Sequence, residues 1–139
     1  LETIQVLSGI VDIYMPDLKF LSKESSSLTC NAPDYFENAK IVIKEMYDQC
    51  GKLKLNSNGD AISGLIIRHL IMPNDFSNSK ELIDFIANEI STDTYVNFMP
   101  QYRPDGSAHE ISQISRRINQ KEFDDVISYA KEIGFTNFL

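Results

Sequence analysis

The chain has no tryptophan, only two cysteines, and 13 lysines and arginines against 20 acidic residues. Each shortage closes a class of function. A net charge of −7 leaves no basic cluster able to neutralise several phosphates, and Arg116–Arg117 is the sole basic doublet, so nucleic acid is not an expected partner. Cys30 and Cys50 match no metal spacing and read as two reduced thiols. No apolar run approaches the roughly 18 residues of a membrane helix, and no charged-then-apolar segment opens the chain. The expectation is a cytoplasmic globular domain with no membrane partner. The chain also opens at Leu1 without a methionine and enters a helix end at Glu2–Leu7 within a few residues, which reads as part of a larger protein.

What is present is three near-continuous apolar runs, each closed by polar residues: Ile10–Met15 before Pro16, Asp17 and Lys19; Leu65–Met72 before Pro73 and Asn74; Tyr95–Met99 before Pro100, Gln101, Tyr102 and Arg103. Apolar runs of this kind, separated by helical patterns, read as parallel strands buried on both faces, with helices on one side and a core on the other. Parallel strands repeat the same end, so all three polar clusters are expected at the C-terminal edge of one sheet, where α/β folds place their chemistry.

Between the runs, Ser22–Thr29 reads as a short polar helix or turn, with Ser25–Ser27 too polar for the core. Asn31-Ala-Pro-Asp34 predicts a helix start capped by Asn31, followed by Phe36, Ala39, Ile43, Met46, Tyr47 and Cys50 at helical spacing and stopped by Gly51. Asn58-Gly59 predicts a hairpin between Lys52–Leu55 and Ala61–Gly64. Asn78-Ser-Lys-Glu81 and Asn119-Gln-Lys-Glu122 have the pattern of capping boxes, opening helices with Leu82, Phe85, Ile86 and Ile90, and with Phe123, Val126, Ile127 and Ala130, turned inward. Gly134 ends the second of these, and Phe135–Leu139 has the makings of a fourth strand. Three or four such βα units amount to half of a barrel, since a closed one takes eight units in roughly 250 residues.

Asp17 and Lys19 alternate off the first strand onto one face, where a carboxylate and an ammonium can orient a zwitterion or simply pair with each other. Lys19 as a Schiff-base nucleophile would require desolvation. Arg68 and His69 interrupt the second strand; adjacent residues face opposite sides, and a satisfied structural histidine is the commoner outcome. His109 beside Glu110 reads as solvated. Gln101, Tyr102 and Arg103 offer an amide, a ring and a guanidinium suited to purine or carboxylate recognition. Tyr35, Phe36 and Phe85 read as core.

Taken in order, Val11-Asp-Ile-Tyr-Met-Pro-Asp-Leu-Lys-Phe20, Asn31-Ala-Pro-Asp-Tyr-Phe36, Gly64-Leu-Ile-Ile-Arg-His-Leu-Ile-Met-Pro-Asn74 and Asp93-Thr-Tyr-Val-Asn-Phe-Met-Pro-Gln-Tyr-Arg-Pro104 resemble the C-terminal half of a radical S-adenosylmethionine protein. The group most resembled is the relatives of pyruvate formate-lyase activating enzyme. The resemblance implies that residues 1–139 are the C-terminal portion of a partial (β/α)6 TIM-like barrel, with outer helices and a small hairpin. It implies a [4Fe–4S] cluster on a three-cysteine loop that would lie upstream of Leu1, and S-adenosylmethionine cleaved to a 5′-deoxyadenosyl radical for hydrogen abstraction. A glycyl radical enzyme or a small molecule is the implied substrate, and flavodoxin or ferredoxin the electron donor. Asp17, Lys19 and Arg68 fall at the cosubstrate's polar end, with Gln101 or Tyr102 beside them. Met99-Pro-Gln-Tyr102 stands where activating enzymes carry Leu-Pro-Tyr-His, so the family histidine is replaced. This chain carries no cluster loop and is expected to be inactive alone. The competing readings are a barrel aldolase, lyase or hydrolase fragment using Asp17 and Lys19, and a non-catalytic α/β binding module.

Overall fold

The computed structural model describes residues 1–138. In chain order the elements are α1 (Glu2–Gln5), β1 (Ile13–Tyr14), α2 (Lys23–Cys30), α3 (Tyr35–Cys50), β2 (Lys54–Leu55), β3 (Ala61–Leu70), α4 (Ser79–Glu89), β4 (Tyr95–Met99) and α5 (Gln120–Ile133). The fold is α/β: β3 is the central strand, with β1 and β4 parallel to it and β2 antiparallel. Within β3, backbone N–H groups alternate between edges. That of Gly64 donates to Asp12 O and that of Arg68 to Pro16 O on the β1 side, while Leu65 donates to Gly51 O on the other. Beyond β4, Val96 donates to Asn137 O and Phe138 forms a parallel bridge, so the expected fourth strand is present as a single bridged position within the described residues. Parallel neighbours thus follow chain order.

The pairing of β1 continues past its two assigned residues to Asp17, which bridges Arg68, with Leu18 N–H donating to Arg68 O at 2.8 Å. Pro16 lies between the two pieces. Its missing N–H removes one rung of the ladder, which is why the run expected over residues 10–15 is recorded as a short strand and a separate bridge.

One face of the sheet carries the core. Tyr14, Leu18, Leu65, Ile67, Val96 and Phe98 pack beneath Ile43 of α3, Leu82, Ile83 and Ile86 of α4, and Val126 and Ala130 of α5. The opposite face, with Met15, Ile66, Arg68, Leu70, Tyr95 and Asn97, is half-buried or exposed, so the strands are not buried on both faces as expected: α3, α4 and α5 all pack on one side. A second, smaller cluster of Phe20, Met72, Tyr102 and Ile114 has Leu70, Tyr35 and Phe76 packed against it at the C-terminal end of the strands.

Helix ends follow the sequence at α5 and at Gly51, which stops α3, and depart from it at Asn31 and Asn78. Asn119 and Glu122 form the full capping box on α5, and Gly134 closes that helix in the left-handed conformation. Asn31 instead terminates α2 at φ 51°, and α3 starts at Asp34 without a side-chain cap bond. Asn78 is also left-handed and gives no cap bond; the N–H of Ser79 is taken by Asp75 Oδ1 at 2.8 Å. Asparagine tolerates the left-handed region as well as it caps, so its presence near a helix start does not decide which it does. Ser25 and Ser26 are buried rather than solvent-facing, because their hydroxyls find the carbonyls of Phe76 and Ser22 at 2.8 and 3.1 Å.

The hairpin strand and the second core run are one element. Gly64 allows this: it sits at φ 118°, and a Cβ there would lie 2.5 Å from Leu53 Cα and Lys52 O. Gly64→Ala should therefore lose several kcal/mol, about 2–4 from strain and displaced backbone together, read as a lowered denaturation midpoint; an unchanged midpoint would contradict the close approach of the Lys52–Leu53 backbone.

Candidate functional site

The C-terminal rim of the sheet brings the expected side chains together. Asp17, Lys19, Arg68, Leu70, Met99, Gln101, Tyr102 and Arg103 line a hollow of about 430 Å³. Asp17 is its centre. Arg68 donates to Asp17 Oδ1 through Nε at 2.7 Å and Nη2 at 2.6 Å, and Lys19 Nζ stands 3.1 Å from Oδ2. Burial alone would push the Asp17 carboxyl up, but the hydrogen bonds and charges of Lys19 and Arg68 outweigh it and hold the group below its ordinary value. Lys19 is ion-paired with a side chain 37% exposed, which is not the desolvated setting an imine-forming lysine needs.

Two residues that sequence reasoning placed in the core or passed over belong to this geometry. The Tyr35 hydroxyl accepts from the Lys19 N–H at 3.0 Å and donates to Asp17 O at 2.9 Å, bracing the backbone that carries both charges. The Asn31-Ala-Pro-Asp34 start signal placed Tyr35 on the first turn of α3 but gave no sign that this turn reaches the rim. Asn97 pairs in register with Arg68, which pairs with Asp17, so three polar residues stand abreast on adjacent parallel strands. A polar residue in the middle of an apolar strand was the available signal.

Tyr102 contributes a wall and not a polar handle. It is 9% exposed, and its hydroxyl donates to Ile114 O at 2.8 Å. Gln101 and Arg103 on either side of it are exposed and face the hollow.

Arg68 and His69 divide as adjacent strand residues must. His69 is buried on the helix face, its ring nitrogens 2.7 Å from Leu18 O and 2.9 Å from Ser79 Oγ. The carbonyl fixes Nδ1 as the donor and Nε2 as the acceptor of the Ser79 hydroxyl. Ser79 is fully buried, so the pair is a core network and no nucleophile is offered. His109 is exposed in a short 3-10 segment, Gly106–Glu110. Asn74 is fully engaged in joining loops: its N–H donates to Glu122 Oε1, its Nδ2 to Gln113 O, and its Oδ1 accepts from Arg116. Arg116 in turn holds the Glu122 carboxyl at about 2.

Among the described residues no three His, Cys, Asp or Glu side chains converge as a metal site. Cys30 is an exposed free thiol and Cys50 donates to Val11 O at 3.2 Å. No helix of the described chain is long and apolar enough to cross a membrane.

Comparison with known proteins gives one curated relative, an uncharacterized protein of Methanocaldococcus jannaschii. It is 31% identical over 135 residues, covering 94% of this chain and 35% of the relative. The chain thus spans about a third of the length of the curated relative it matches. No protein-family model matches and no solved structure matches.

Removing the Tyr35 hydroxyl leaves the Lys19 N–H and Asp17 C=O without their partner. Tyr35→Phe should cost about 1–3 kcal/mol and accelerate hydrogen exchange at the Lys19 amide; unaltered exchange would show that the brace is not needed. The ordinary histidine value of 6.5 falls to about 4 for His69 because burial opposes its charged form more than the Leu18 carbonyl favours it. The unfolded chain then binds more protons between those values, so stability present above pH 6.5 is lost as pH falls toward 4, by on the order of 3 kcal/mol. His69→Gln should flatten urea-unfolding free energy across that window; an equal slope in both proteins would locate the proton uptake elsewhere.

Proposed function

We propose that this chain is the C-terminal half of a partial (β/α)6 TIM-like barrel from a radical S-adenosylmethionine enzyme, related to the pyruvate formate-lyase activating enzymes. Its rim hollow holds the amino-acid end of S-adenosylmethionine. The observation that carries the reading is the single carboxylate flanked by two cations at the C-terminal edge of consecutive parallel strands. An α-amino acid needs that set, one acceptor for its ammonium and two donors for its carboxylate. The spacing of the four sequence motifs supports the same assignment. So does the arrangement of helices on one face of the sheet, which leaves the other free to line a barrel interior.

In this reading Asp17 accepts from the amino group, and Lys19 and Arg68 oppose the carboxylate. The guanidinium is held in plane by its two bonds to Asp17 Oδ1, leaving Nη1 for the ligand. Tyr35 keeps Asp17 and Lys19 at fixed height through their backbone, and Gln101 offers an amide to the nucleoside side. When bound, S-adenosylmethionine supplies the 5′-deoxyadenosyl radical for hydrogen abstraction. The iron–sulfur cluster does not fit this chain's own residues: neither cysteine has a thiol neighbour, so its ligands belong to sequence outside these 139 residues. A glycyl radical enzyme or a small molecule is the substrate of the whole protein, with a flavodoxin or ferredoxin as reductant.

Anaerobic reconstitution of the full-length protein with iron and sulfide should give a thiolate-to-iron charge-transfer band and reductive release of 5′-deoxyadenosine. Arg68→Ala should weaken S-adenosylmethionine binding on the order of tenfold or more, the scale of one charge-assisted hydrogen bond. Absence of both band and product would remove the proposal.

A further inference from the structure

Arg103 is the cation at this site that nothing accounts for. It lines the hollow beside Lys19, Arg68 and Gln101, yet it forms no ion pair with any described residue. Asp17 is the sole carboxylate among the described lining residues and is already shared by Lys19 and Arg68. The hollow therefore gathers three cations around one anion, in a chain whose net charge is −7. Lys23, Lys54, Lys80, Arg117 and Lys131 also form no ion pair with a described residue, so what distinguishes Arg103 is its place in a concavity beside two further cations.

The segment that carries Arg103 is also held in place. Pro100 and Pro104 restrict the backbone on either side, and between them Tyr102 is buried against Phe20, Met72 and Ile114 with its hydroxyl bonded to Ile114 O. Tyr102 bolts the loop to the rim, and its two neighbours face the hollow as a consequence. A guanidinium on a pinned backbone loses less freedom on meeting a ligand than one on a loose loop.

We propose that Arg103 is an anion-binding residue of this site, and that the molecule sharing the hollow with S-adenosylmethionine is a small acid bearing a carboxylate or phosphate. The inference rests on the reading of the hollow given above. It deepens that reading by naming the substrate class: the neutral backbone of a protein glycine has no use for a third cation, whereas an oxyanion takes the planar donor pair of a guanidinium.

Malonate and inorganic pyrophosphate, titrated separately into the full-length protein by calorimetry, distinguish a carboxylate from a phosphate ligand. One of them should bind, with Arg103→Ala weakening it about tenfold, the scale of one charge-assisted hydrogen bond, and Arg103→Lys recovering part of the loss. Arg117→Ala, an exposed arginine away from the hollow, should leave the affinity unchanged. Failure of both anions to bind, equal affinity in Arg103→Ala and the parent, or an equal loss in Arg117→Ala would overturn the proposal. Anion binding that depends on Arg103 in a protein that does not bind S-adenosylmethionine would leave the anion site standing and remove the cosubstrate reading instead.

Discussion

The pairing of Asp17 with Arg68 fixes more of this molecule than any other contact at the rim. It operates twice, through the backbone and through the side chains. Arg68 gives its N–H to Pro16 O and takes one from Leu18, while its guanidinium closes on the Asp17 carboxylate. Both require β1 and β3 to be parallel and in one register. A slip of a single residue would turn Leu18 out of the core and Asp17 into it. The ion pair is half exposed and contributes little to stability by itself; its weight lies in specifying which of the possible registers is adopted.

That register also sorts polarity. Along β3, Leu65, Ile67 and His69 enter the helix layer, and Ile66, Arg68 and Leu70 take the open face. The neutral imidazole is satisfied by a carbonyl and a buried hydroxyl, and the guanidinium by a carboxylate across the strand. Two polar neighbours in an apolar strand are thus tolerated because each finds a partner in its own medium. Charge stays at the rim, where a ligand can reach it.

The three apolar runs with polar ends were enough to place the strands, their direction and the rim, since length and branching leave a buried parallel strand as the economical reading. The Asn119–Glu122 box was legible because its pattern has one dominant geometry, and the Asn58-Gly59 pair marked the hairpin although only Gly59 takes a positive φ. The pattern at Asn31 and Asn78 was not, because asparagine serves both as a cap and as a left-handed stop, and tertiary contacts choose. Ser25 and Ser26 show a related gap: composition speaks for solvent, yet carbonyls 51 and 4 residues away in sequence supply the missing bonds. Tyr35 was legible as a core aromatic but not as the brace of Asp17 and Lys19, since a hydroxyl's partners depend on where α3 docks. Asn97 needed the register of β4 against β3 before it could be seen beside Arg68.

The rim differs from an ordinary loop-built surface in where its rigidity comes from. Lys19 and Asp17 are tied through their own backbone to Tyr35, on the first turn of a sixteen-residue helix. Gln101 and Arg103 are tied through Tyr102 to the small aromatic cluster, in which Phe20 meets Tyr35 and Phe76 edge to face at 5.8 and 6.5 Å. The same cluster therefore anchors both halves of the hollow. Its two tyrosine hydroxyls are directed at main-chain atoms, so the backbone that carries the charged side chains is tied to packed aromatic rings. Asp17, Lys19 and Arg68 thus stand together through bonds the chain makes with itself, while Arg103 is fixed through its backbone alone.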